Sequence, residues 1–145
     1  MGNHIEATIE AGKKFYQDFH GKGPVVMLNL LRFKTEADYS ELASIQPEKE
    51  ISGEEAYQLY IDYTTPLLKK AGSRILFYGN SGHFLIGSKQ EKWNAVLLVE
   101  HESVAKFLAF AQDEEYLKIA GHRTATVEDS RLLPISESEI TKSAE

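Results

Sequence analysis

The sequence predicts an α+β domain in which one four-stranded sheet carries helices on a single face. Three observations point there. Apolar runs of strand length occur at Val25–Phe33, Arg74–Gly87, Trp93–His101 and Thr124–Leu133. Segments with helical spacing and helix-start signals separate the first run from the second and the third from the fourth. The resulting order is β-α-β-β-α-β behind one leading helix, the split βαβ or ferredoxin-like arrangement.

The leading helix is expected over Ile5 to Phe19, with Ile5, Ile9, Phe15, Tyr16 and Phe19 at helical spacing and Gly21-Lys22-Gly23-Pro24 ending it. Val25 to Phe33 is a near-continuous apolar run, the pattern of a strand buried on both faces. Lys34 to Ile51 is polar and irregular, with room for a short helix around Tyr39 to Ala43. Ser52 and Glu55 form a capping box ahead of Ala56, Tyr60, Tyr63 and Leu67. Pro66 falls in the last turns of that helix and Gly72 is its natural C-terminal cap. Arg74 to Gly87 reads either as a tight hairpin around Gly79-Asn-Ser-Gly82 or as one long strand with a glycine bulge. Ser103 caps a helix with Val104, Phe107, Leu108 and Ala111 on one face. Asp113-Glu-Glu115 starts a further turn closed by Gly121, and Thr124 to Leu133 is the last strand. Three segments follow: an N-terminal helical extension (1–23), the ferredoxin-like domain (24–135) and a polar tail (136–145) expected to be disordered.

Composition narrows the function. At 145 residues the chain is one domain long, with 42% hydrophobic and 26% charged residues. Its net charge is −6, and its basic residues are scattered rather than gathered on one face, which argues against nucleic acid as a partner. There is no cysteine, so thiolate catalysis, disulfides and cysteine-ligated zinc are excluded. No apolar run reaches membrane-spanning length, and the first residues carry no basic-plus-apolar signal. A soluble, cytoplasmic protein without a membrane partner is the expectation. The strands carry apolar residues on both faces, Val26, Leu28 and Leu30 against Val25, Met27 and Leu31. Helices on one side cannot cover both, so a homodimer is expected.

Several separated segments agree, in order, with a known family. Pro24-Val-Val-Met-Leu-Asn-Leu-Leu-Arg-Phe33, Ser52-Gly-Glu-Glu-Ala-Tyr-Gln-Leu-Tyr60, Gly72-Ser-Arg-Ile-Leu-Phe-Tyr-Gly79 and Glu115-Tyr-Leu-Lys-Ile-Ala-Gly-His-Arg123 resemble the longer members of the domain-of-unknown-function 1330 family. The resemblance continues through Thr124 to Pro134. It implies the dimeric α/β-barrel superfamily, in which two ferredoxin-like sheets pack face to face. Relatives in that superfamily include cofactor-free monooxygenases, muconolactone isomerases, haem-binding chlorite dismutases and ligand-sensing domains; the fold alone selects none of them. The family tends to have Trp-Asp where this chain has Trp93-Asn94, which removes a carboxylate from the start of the third strand.

Standard catalytic motifs fail. Gly79-Asn-Ser-Gly-His83 has His83 where a nucleophile elbow needs glycine, and His101-Glu102 lacks the second zincin histidine, having Ala105 there. The five histidines show no metal-ligand spacing, so no metal and no tightly bound cofactor is expected; haem held by His83 or His122 is a weaker alternative. Five residues stand out instead. Asn29 places a carboxamide between Met27 and Leu31 on one strand face, where it serves either a structural hydrogen bond or a ligand. Tyr57 and Tyr60, with Tyr63, are either core phenols with hydroxyls at the rim or one wall of an aromatic-substrate site. His122 and Arg123 are either a base beside an oxyanion holder or a cation pair at a helix C-terminus. The leading expectation is a small-molecule enzyme, carrying out cofactor-free oxidation or isomerisation of an aromatic or carbonyl compound. Asn29, Tyr57 and Tyr60 would bind that compound, with His122 and Arg123 as the catalytic pair. The alternative is a non-catalytic ligand-binding homodimer.

Overall fold

The computed structural model describes residues 3–138. Its elements are α1 (Ile9–Phe19), β1 (Val25–Phe33), α2 (Gly53–Lys70), β2 (Arg74–Asn80), β3 (Ala95–His101), α3 (Val104–Ala111), α4 (Glu114–Ile119), α5 (Gly121–Thr126) and β4 (Val127–Ile135). All neighbouring strands run antiparallel, in the order β2-β3-β1-β4. This is the ferredoxin-like sheet that the element order predicts.

β1 keeps the bounds its apolar run implies, and pairing settles which side chains share a face. Met27 lies opposite Val99 and Asn29 opposite Leu97, while Leu28 lies opposite both Leu98 and Leu133. The Val25, Met27 and Leu31 face is buried under the helices. The other face is not covered by this chain. There Phe77, Leu98, Leu28 and Leu133 form one row across all four strands, and Phe77 and Leu133 are 56% and 57% exposed. Ion pairs frame it: Arg74 with Glu100 at 2.9 Å, and Arg131 with Asp129 at 2.7 Å. Trp93 is buried beneath the guanidinium groups of Arg32 and Arg131, 5.8 and 5.0 Å from the ring centroid.

α2 begins as its capping box requires, with Ser52 Oγ accepting from the Glu55 N–H and Glu55 accepting from the Ser52 N–H, both at 3.0 Å. Gly53 follows because its backbone lies against that of Lys34, where a Cβ would collide with the Lys34 carbonyl. The Thr126 hydroxyl donates to the Gly53 carbonyl, tying the helix start to the end of α5. Gly53→Ala is therefore expected to lower the melting temperature by several degrees, despite alanine's better helix propensity, because backbone rather than a flexible side chain must give way. A thermal denaturation curve checks this.

Four expectations are corrected. α1 starts at Ile9 rather than Ile5, because the Thr8 hydroxyl caps it by accepting from the Ala11 N–H at 3.0 Å. The 34–51 segment has no helix at Tyr39 to Ala43 but a 3-10 turn at Ala43–Ile45. Arg74 to Gly87 is neither a tight hairpin nor one long strand. β2 stops at Asn80, and the following apolar run enters a loop in which Leu85 and Ile86 are almost fully exposed. Gly121 does not close the preceding turn but opens α5, which delays the last strand to Val127. Of the expected disordered tail, residues 139–145 lie outside the described residues.

Candidate functional site

Between the buried sheet face and the helices lies a cavity of about 200 Å³. Its position follows from sequence alternation. Asn29 and Met27 project from β1, Leu97, Val99 and His101 from β3, and α2 supplies Tyr57, Tyr60 and Thr64 at helical spacing. Tyr116 of α4, Phe110 of α3 and Arg123 of α5 complete the helical side, and Ile5 from the N-terminal segment closes one wall. Aromatic contacts run around it: Tyr57 with Tyr60 at 5.3 Å, Phe110 with Tyr116 at 4.7 Å and His101 with Phe107 at 5.0 Å between ring centroids.

The polar groups in this apolar shell divide into paired and unpaired. The Tyr60 and Tyr116 hydroxyls bond each other at 2.8 Å. Asn29 Nδ2 donates to the carbonyls of Leu97 and Met27 at 3.2 and 3.4 Å, so the strand does offer backbone partners to the amide nitrogen. Asn29 Oδ1 and the Tyr57 hydroxyl take no protein hydrogen bond among the described residues. The Thr64 hydroxyl is fully buried and also without a partner among them. Leaving such a group unpaired costs about 1–3 kcal/mol.

Burial favours the neutral forms of the cavity phenols and of His101. Burial drives the Tyr57 and Tyr60 phenols well above their ordinary range, with neighbouring tyrosines reinforcing the effect and Arg123 opposing it. Burial also pushes His101 down from 6.5 to about 4. Its Nδ1 shares a 2.7 Å hydrogen bond with the Ser73 hydroxyl, which fixes the ring while its other nitrogen keeps no protein partner among the described residues. No Asp or Glu lines the cavity. What remains is a set of neutral hydroxyls, the Asn29 carboxamide oxygen as an acceptor and one guanidinium, suited to a carbonyl, a phenol or a single negative charge.

The structure thus brings Asn29, Tyr57, Tyr60 and Arg123 to one cavity and leaves His122 out of it. His122 is buried elsewhere, with Nδ1 2.7 Å from the Tyr39 hydroxyl and its ring stacked on Tyr63 at 5.3 Å. As neighbours on α5, His122 and Arg123 point about 100° apart, so they cannot act as one pair. His83, the other candidate for haem, is exposed on the loop after β2. Among the described residues no cluster of His, Asp and Glu is arranged to hold a metal ion. Asn94 accepts from the Phe33 N–H at 2.8 Å and so ties the end of β1. Three cavity groups have no place among the residues singled out from sequence: His101, Thr64 and Tyr116. For His101 the signal existed, since it continues the alternation of Ala95, Leu97 and Val99.

Comparisons with known proteins agree with this architecture. The chain is similar to RPA0582, a protein of unknown function from Rhodopseudomonas palustris solved as a structural genomics target. The two share 33% identity over 94% of this chain and 98% of that one, with a TM-score of 0.81. The methylated form of RPA0582 matches at the same identity and TM-score over 95% and 97%. The Arabidopsis thaliana protein At3g17210 matches at 12% identity over 79% and 95%, with a TM-score of 0.52, which speaks for the fold alone. No curated protein matches. Residues 32–135, which hold β1's end, all of α2 to α5 and the last strand, match the family model described as a domain of unknown function, DUF1330; the chain belongs to that family.

Proposed function

We propose that this protein is a homodimer that binds a compact aromatic or carbonyl compound in the cavity between sheet and helices. The observation that carries the reading is the buried, unpartnered Thr64 hydroxyl facing an apolar cavity beside the Asn29 carboxamide and the Tyr60–Tyr116 pair. A cavity of ~150 Å³ lined by apolar side chains already accepts benzene. About 200 Å³ therefore suits one substituted ring, with the polar groups fixing its orientation. The dimer follows from the uncovered apolar row on the other sheet face.

Binding fits the electrostatics better than catalysis. A histidine held near 4 is a weak base at neutral pH, and the cavity offers no carboxylate to replace it. The position of His101 nevertheless supports a second reading, a cofactor-free oxidation or isomerisation in which its unpartnered nitrogen passes a proton. The test is a thermal-shift screen of monocyclic phenols, quinols and lactones, followed by titration of each hit against Asn29→Leu. That variant loses only two long bonds to backbone carbonyls, so it should stay folded while affinity falls tenfold or more. Unchanged affinity in a folded Asn29→Leu protein would remove the carboxamide from the site. Turnover of a hit that disappears in His101→Gln would select the enzymatic reading.

A further inference from the structure

A second apolar chamber, about 580 Å³, lies between α1 and β4. Ala11, Gly12 and Phe15 line it from the helix, and Leu132 and Pro134 from the strand. It shares Ile5, Met27, Phe107, Arg123 and Leu132 with the smaller cavity, so Arg123 stands at the junction of the two. Arginines 32, 74 and 131 each form an ion pair. Half-buried Arg123 forms none among the described residues; it donates only to the Ile5 carbonyl at 3.1 Å and the Ser130 hydroxyl at 3.4 Å, both neutral. The other cations on the chamber wall are already matched, Lys14 by Asp18 and Arg131 by Asp129. Glu6, also on the wall, makes no ion pair with Arg123.

We propose that Arg123 anchors the carboxylate of an elongated apolar acid whose hydrocarbon body lies in the chamber under α1. A half-buried guanidinium without a counter-ion favours an anion, and its planar fork fits a carboxylate in particular. The chamber falls in the ~300–1,000 Å³ range of sites that enclose whole ligands, more than a single ring needs. Its lining is largely aliphatic and aromatic, and among the described residues its one arginine without an ion pair, Arg123, sits at an end shared with the smaller cavity. The occupant is therefore a monoanion with a long tail rather than a diacid or a sugar.

The proposal stands apart from the compact-ligand reading, and calorimetric titration separates the two. Octanoate, decanoate and dodecanoate should bind with affinity rising roughly threefold to fourfold per added methylene. Dodecanol, which lacks the charge, should bind at least tenfold more weakly than dodecanoate. Arg123→Gln should bring dodecanoate down to the level of dodecanol, and Arg123→Lys should restore part of the loss. Gly12→Leu provides an independent check. A Cβ at Gly12 meets no atom within 4 Å, so the variant should stay folded, and its side chain should weaken dodecanoate by filling the chamber. Dodecanoate that fails to bind the natural protein, or binds folded Arg123→Gln and Gly12→Leu as tightly, would overturn the proposal. A protein that binds dodecanoate but none of the compact compounds would support it and defeat the other reading.

Discussion

Leu28→Asp should run as a folded monomer in light scattering at micromolar concentration, where the natural protein should run as a dimer. Leu28 is the middle of the row Phe77, Leu98, Leu28 and Leu133, on the face that no helix of this chain covers. In a monomer that position is half-exposed, so a carboxylate there stays hydrated and the fold survives. At a face-to-face interface two such carboxylates would be buried together without partners, at a cost of several kcal/mol each. That is enough to dissociate an interface of ordinary size. The contrasting variant is Leu31→Asp, three residues along on the opposite face and fully buried, which should fail to fold at all. A Leu28→Asp protein that remains dimeric would show that the copies meet elsewhere.

Stability should fall as pH drops from about 6.5 toward 4, and His101 should carry most of that fall. Its folded value, about 4, lies below its unfolded value of 6.5. Between the two the unfolded chain binds the proton and the folded chain does not, so acid favours unfolding. The contribution is fully present above 6.5 and is lost through that window, about 3 kcal/mol in all. Burial lowers His122 too, which adds in the same direction. Asp129 belongs to a more acid range. Burial alone would raise its carboxyl, but the His4 N–H and Arg131 outweigh that and hold it below 3.8. Urea midpoints at pH 7 and pH 4.5 should differ clearly for the natural protein and much less for His101→Gln. Equal slopes in both proteins would take His101 out of the account.

β1 and the caps of α2 and α3 are legible in the sequence because each rests on local chemistry. An unbroken apolar run, a capping box and a lone capping serine need no distant partner. The loop after β2 is not legible in that way. Phe84-Leu-Ile has the composition of a strand, and only the pairing of Asn80 with Ala95 shows that the sheet has already ended. The site divides along the same line. Asn29, Tyr57 and Tyr60 lie on regular elements whose periods point them to the cavity. His122 falls outside it because Gly121, a helix terminator by composition, instead starts a short helix. Within that helix, one residue decides between the cavity and the pocket of Tyr39.

The His4 N–H donates to Asp129 Oδ1 at 2.7 Å, and the Ser130 N–H and hydroxyl both donate to the His4 carbonyl, at 2.7 and 2.6 Å. The partners in these bonds are 125 and 126 positions apart in the chain. During synthesis the first of them waits, exposed, until the last strand leaves the ribosome. β2 and β3 are neighbours along the chain, whereas β1 finds its β4 partner across most of the domain. The larger chamber is therefore completed last, since a chain cut short before Val127 lacks the Ser130, Leu132 and Pro134 side of its wall.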